Sequence, residues 1–155
     1  AEEQILTISK YGMAKRSRLG TADRIPDTDA AGNIKLDEDG LQKMATDGYR
    51  STRPGAKGVR TMKLDDENDD EIISVRTIPD LEDHLFLLTK KGMMIRILVN
   101  QTKETKGKSS RGTRVMEFRN KSKGGFTDEL IFSSRIPASL LDMGSEESDE
   151  GSEEE

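Results

Sequence analysis

Four cations crowd one glycine-containing turn of this sequence. Tyr49–Leu64 reads YRSTRPGAKGVRTMKL, centred on Thr52-Arg53-Pro54-Gly55-Ala56-Lys57-Gly58. Glycine reaches positive φ at no steric cost and proline presets its own φ, so Pro54, Gly55 and Gly58 specify a tight, exposed turn. Arg53 and Lys57 stand on it, flanked by Arg50 and Arg60. Backbone N–H groups of a Gly-rich turn can point outward at an anion, and surrounding guanidinium and ammonium groups complete a phosphate grip. Val59–Leu64 alternates apolar with polar residues and reads as a strand carrying the turn. An ordinary solvated hairpin would account for the same residues. The balance shifts towards anion binding because the pattern recurs further along the chain.

Two other groups of residues could do chemistry. Asp27–Glu38 places Asp27 and Asp29 at positions 1 and 3, Gly32 at 6 and Glu38 at 12 of a calcium loop. Ala31 offers no ligand at position 5, and Pro26 opposes the helix that would lead in. A solvated acidic loop is the simpler reading, and no metal is expected. His84 is the sole histidine, with Asp83 beside it. No nucleophile accompanies it at a defined spacing, so it reads as a strand-edge surface residue. Met62, Met93, Met94 and Met116 fall in expected strands and read as core filler. Cysteine is absent, which excludes disulfides and thiolate metal sites. With no nucleotide-binding or triad motif either, neither catalysis nor a cofactor is expected.

The elements that would position these groups come in duplicate. Ile5–Ser9 and Ala14–Leu19 make a hairpin with Gly12 in its turn, and Leu88–Arg96 repeats Ile8–Arg16 at an offset of 80. Gly58–Leu64 recurs as Gly112–Phe118 at an offset of 54, and Asp70–Pro79 as Asp128–Pro137 at an offset of 58. Hairpin, basic loop and strand thus form a repeating unit, and such units bury their apolar faces by stacking. The expected fold is all-β, with antiparallel blades of propeller type. The first spans 1–64 and carries an acidic insertion at 20–48, with a short helical turn near Leu41–Ala45. The second spans 65–141, and a disordered acidic tail covers 142–155.

Charge is segregated in the same way. The net charge of −5 hides a basic body, because eight acids and no base follow from Asp142 onward. Between Leu85 and Gly125 there are eleven bases against two acids, a footprint suited to a polyanion. Lys103, Lys106, Lys108, Arg111 and Arg114 belong to that run. No apolar stretch approaches the roughly 18 residues of a membrane span. No secretory leader is apparent, so a soluble, cytoplasmic setting is expected. The missing initiator methionine suggests a fragment of a longer chain.

Repeat, basic turn and acidic tail together resemble the C-terminal domain of the bacterial DNA gyrase A subunit, a six-bladed β-pinwheel that wraps DNA around its rim. The hallmark box of that family is Gln-Arg-Arg-Gly-Gly-Lys-Gly. Thr52–Gly58 keeps Arg53, Gly55, Lys57 and Gly58 and departs at Thr52, Pro54 and Ala56. Lys106–Gly112 looks like the equivalent loop of an ordinary blade. The resemblance implies two blades of a larger array and double-stranded DNA as partner, with no catalysis in this portion. It places the parent topoisomerase's tyrosine elsewhere, and its remaining blades and other subunits become further partners. The implied DNA contacts are Arg50, Arg53, Gly55, Lys57, Gly58, Arg60, Lys103, Lys106, Lys108, Arg111 and Arg114. The related topoisomerase IV domain is one alternative, and a protein-interaction propeller with an acidic docking tail is another.

Overall fold

The computed structural model describes residues 3–21, 23–29, 31–49, 51–105 and 110–142. Arg50, Lys106, Lys108 and the acidic tail Gly144–Glu155 lie outside the described residues. The elements in chain order are β1 (Gln4–Ser9), β2 (Met13–Arg18), β3 (Arg24–Pro26), β4 (Met44–Thr46), β5 (Ile72–Ile78), β6 (His84–Thr89), β7 (Met94–Leu98), β8 (Thr113–Arg114), β9 (Leu130–Ile136) and α1 (Ala138–Asp142). Every strand pair is antiparallel, as the repeat leads one to expect.

Two sheets carry the fold, ordered β5-β1-β2-β8 and β7-β6-β9. Both duplicated hairpins form, with Gly12 and Gly92 at φ +84° and +85° in their turns. The requirement at Gly12 is steric as well as conformational. A Cβ there would stand 2.2 Å from the Met116 carbonyl oxygen, so only glycine lets that backbone approach.

The sheets pack face to face. Leu6, Ile8, Ala14 and Ile78 of the first meet Leu85, Leu87 and Leu130 of the second, with Val99 and Phe118 in the same cluster. Burying each of the larger side chains among these contributes about 1.5–3 kcal/mol, so this small core is decisive for so charged a chain. Polar groups crossing the joint are matched. Arg76 donates from Nε to Ser133 Oγ (3.2 Å) and from its terminal nitrogen to the Ser133 carbonyl. Ser133 Oγ donates in turn to Ser74 (2.8 Å).

Strands do not stay within their own repeat. β5 follows the first basic turn by chain order yet closes the first sheet beside β1, and β8 crosses from the second repeat to pair with β2. The 64/65 division expected from the repeat therefore cuts through one sheet. Val59–Leu64, expected as a strand, forms none. Its counterpart around 113–114 is a strand because β2 offers it an edge; Val59–Leu64 instead lies over the far face of the first sheet. There Thr61 Oγ1 meets Thr7 Oγ1 (3.1 Å) and Tyr49 OH (2.9 Å), and Lys15 Nζ donates to the Thr61 carbonyl (2.6 Å). Lys15 is fully buried by this cover, and burial holds its ammonium pKa below the ordinary 10.5.

Three further expectations are corrected. Leu41–Ala45, expected as a helical turn, instead runs into strand β4, which pairs with β3 in a β-ribbon. His84 opens β6, the central strand of its sheet, and is half-buried rather than at an edge. Met62 is buried, but Met93 and Met94 are 60% and 58% exposed. Ala14, the repeat counterpart of Met94, faces the core between the sheets beside Ile8, whereas Met94 pairs with Leu88 on the outer face of the second sheet.

Candidate nucleic-acid interface

The basic turn forms as its residues require. Ala56 N–H donates to the Arg53 carbonyl (3.2 Å), with Pro54 and Gly55 at the central positions. Gly55 has φ +86°, the value a type II turn needs at its third residue. Arg53, Lys57 and Arg60 are exposed. Beyond the turn the chain is tied to the second basic loop, because Lys63 N–H donates to the Ser110 carbonyl (3.0 Å).

That tie gathers cations from both repeats. Lys63, Arg111, Arg114 and Arg119 surround one depression with Tyr11, Met13, Phe126 and the acids Asp65 and Asp70. Its floor is aromatic. The rings of Tyr11 and Phe126 stack with centroids 3.8 Å apart and planes within 5°. Lys10 Nζ lies 5.0 Å from the Tyr11 centroid, and the Arg119 guanidinium lies 5.7 Å from that of Phe126. A cation over an aromatic face is held by the ring quadrupole without losing its charge. The stack also joins the hairpin turn of the first repeat to the Asn120–Gly125 turn of the second, so it fixes the spacing between their cations.

The acids nearby set orientation. Glu117 accepts from the backbone N–H of Arg119 (2.8 Å) and pairs with the guanidinium of Arg114. Both bonds hold its carboxyl below the usual carboxylate range, so Glu117 stays ionised and steers Arg114. Arg119 lies 3.7 Å from Asp65. Among the described residues no acid pairs with Arg53, Lys57, Arg60, Lys103 or Arg111. Lys103 is placed beside β8 by its backbone N–H, which donates to Thr113 Oγ1 (3.1 Å).

Of the residues singled out in the sequence, Arg111 and Arg114 join the depression, and Lys103 is placed at β8. Arg53, Gly55, Lys57, Gly58 and Arg60 form the exposed turn ahead of it. Lys63, Arg119, Lys10 and the aromatic pair were missed. Their only signal was proximity to glycine-rich turns; the pairing of Tyr11 with Phe126 is long-range. Among the described residues, the carboxylates of Asp27 and Asp29 are engaged by partners within the acidic loop. Asp29 accepts from the backbone N–H groups of Ala31 and Asn33 and from the Asn33 amide. Asp27 pairs with Lys35 (3.2 Å). Among the described residues no three acids or histidines converge as cation ligands.

Antiparallel sheets stacked face to face, exchanging strands between repeats and bearing glycine turns at their rim, define a β-domain of propeller type. The profile of the family described as DNA gyrase C-terminal domain, beta-propeller, matches residues 43–79 and 83–124, just over half of the chain. The chain belongs to that family. Among solved structures, the C-terminal domain of DNA topoisomerase IV superimposes with a TM-score of 0.56 at 18% identity, over 89% of this chain and 31% of that one. The DNA gyrase A C-terminal domain superimposes with a TM-score of 0.46 at 20% identity, over 88% of this chain and 51% of that one. This chain therefore spans about a third of the first domain and half of the second. No curated protein matches it in sequence.

Proposed function

We propose that this chain is a non-catalytic module that binds double-stranded DNA through its phosphates and bends it along the rim. One observation carries the reading: Lys63, Arg111, Arg114 and Arg119, drawn from two repeats, converge on a single depression with an aromatic floor. Arg53, Lys57, Arg60 and Lys103 extend that surface, and Arg50, Lys106 and Lys108 belong to the same two basic loops in sequence. Cations spaced along a rigid edge position and deform a duplex without reading its bases. Family membership supports a place in a type IIA topoisomerase A subunit, where a bent duplex would be presented for strand passage. The chemistry would reside in another part of that subunit and the localisation would be cytoplasmic.

Binding is tested with a duplex across a salt series. With about six phosphates engaged, log K falls with log salt at a slope of about −5; a flat dependence would discard the reading. Charge reversal at Arg53 and Lys57, read out by DNA bending, separates wrapping of the gyrase kind from the simple binding expected of a topoisomerase IV-like domain. The tail Gly144–Glu155 is proposed to compete for the same cations, so its deletion should tighten DNA binding. A stable protein partner together with DNA affinity no better than that of a generic basic protein would instead favour a protein-interaction propeller.

A further inference from the structure

The insertion joins the first sheet through a tight neck. Tyr49 N–H donates to the Leu19 carbonyl (2.9 Å), and the Asp47 carboxylate accepts the Thr21 N–H (3.2 Å). A Cβ on Gly48 would stand 1.9 Å from the Leu19 carbonyl oxygen, so glycine alone lets the two crossing segments approach this closely. Along the edge of β2, Thr105 N–H donates to the Arg16 carbonyl (2.9 Å), and the Gln4 side-chain amide donates to Glu104 (2.9 Å). Between neck, ribbon and that segment lies a cavity of about 370 Å³. It stands at the Arg18 end of β2, whereas the basic depression forms at the Met13 end.

Three kinds of side chain line this cavity. Ile25, Pro26, Ala45 and Tyr49 supply an apolar wall. Ser17 lines it while only 6% exposed, and among the described residues its hydroxyl has no hydrogen-bond partner. A buried hydroxyl in that position requires a partner from whatever fills the cavity. The charged residues are three acids, Asp27, Asp47 and Glu104, against two bases, Arg18 and Lys35. Lys35 is neutralised by Asp27, whose two oxygens it meets at 3.2 and 3.3 Å. Arg18 has an interaction of its own. Asp47 and Glu104 accept only from neutral donors, Thr21 and Gln4. Among the described residues neither forms an ion pair.

We propose that this cavity binds a small organic amine. The ammonium group lies at Asp47 and Glu104 and donates to the Ser17 hydroxyl; the alkyl stem lies along Ile25, Pro26 and Ala45. The volume falls within the roughly 300–1,000 Å³ of small-molecule sites. Two carboxylates without a counter-ion repel an anion, so a phosphate or a nucleic acid is disfavoured here. A bare metal ion is disfavoured too, because no three acids converge among the described residues. An ammonium group carries three donors, enough for two separate carboxylates and a hydroxyl, and its stem covers apolar surface that an inorganic cation would leave wet. The walls come from both the insertion and the first sheet, so occupancy ties one to the other.

Amide NMR of the full chain titrated with n-pentylamine tests this. Saturable shifts are expected at Ser17, Ala45, Thr46 and Thr105, with a Kd of about 1 mM or tighter. The neutral n-pentanol should bind about tenfold or more weakly, since it lacks the charge. Glu104→Gln and Asp47→Asn keep an acceptor oxygen for Gln4 and Thr21, and each should weaken amine binding about fivefold. Unchanged thermal melting certifies folding; if Asp47→Asn unfolds, Glu104→Gln alone decides. The acids of Gly144–Glu155 also attract amines, so a response confined to them counts against the site. That outcome, no saturable shift at the four amides up to about 10 mM, an equal response to the alcohol, or unchanged affinity in Glu104→Gln overturns the proposal.

Discussion

Gly58 and Gly112 hold the same place in the two repeats, yet substituting them should have very different consequences. Both sit in the left-handed region, at φ +79° and +84°, so alanine at either costs about 1–2 kcal/mol for the conformation alone. At Gly58 the added methyl group meets nothing within 4 Å. At Gly112 it would stand 2.4 Å from the Ala14 carbonyl oxygen and 2.8 Å from Lys15 Cβ. Those are backbone and packed side-chain atoms, so relief requires β8 to lift off β2. Forced overpacking adds about 1–3 kcal/mol. Gly112→Ala is therefore expected to cost about 2–5 kcal/mol, and Gly58→Ala about 1–2 kcal/mol. Urea unfolding monitored by circular dichroism measures both as midpoint shifts at constant slope. Lifting β8 also displaces Arg111 and Arg114, so Gly112→Ala should weaken DNA binding more than Gly58→Ala under conditions where both are folded. Equal destabilisation by the two substitutions would refute the claim that β8 docks on the first sheet.

Other consequences follow from burial and pairing. Lys15 titrates below its ordinary 10.5 because it is buried, so near pH 10 the unfolded chain holds more of that proton than the folded one. Stability should thus rise with pH up to about 10.5 and level off above it, relative to Lys15→Met; parallel pH profiles for the two proteins would contradict this. Asp83 is buried, pairs with Arg135 (2.6 Å) and accepts the Ala138 N–H (3.0 Å) at the start of α1. Asp83→Ala strands both donors and should cost about 2–3 kcal/mol, measured by urea midpoint. Phe126→Ala removes the stack that spaces the two basic turns. It should weaken duplex binding while leaving the salt slope nearly unchanged, since no phosphate-contacting charge is lost; a fully reduced slope would place Phe126's effect elsewhere.

The parts of the fold visible in the sequence were those set by local pattern. Both hairpins, the strands ending at Ile78 and Ile136, and the turns at Gly12, Gly55 and Gly92 follow from alternation and from glycine's access to positive φ. What stayed hidden was long-range. Nothing within Val59–Leu64 tells that its copy at Thr113–Arg114 finds an edge on β2 while it does not. The burial of Lys15 depends on that same cover, and the exposure of Met94 on its place on the outer face of the second sheet. The insertion concealed its β-ribbon because turns rich in Asp and Gly read equally as a loop. In the basic site, the exposed charges were legible as a run. Their convergence was not, because it needs Tyr11 and Phe126 to meet from opposite ends of the chain.

The rim account is tested most directly by the salt slope of duplex binding, compared between the wild-type chain and one carrying Lys63→Gln, Arg111→Gln, Arg114→Gln and Arg119→Gln together. If these four groups grip phosphates, the slope should become shallower by about 3 to 4 while the fold, judged by its urea midpoint, persists. A well-folded quadruple variant with an unchanged slope would contradict the account.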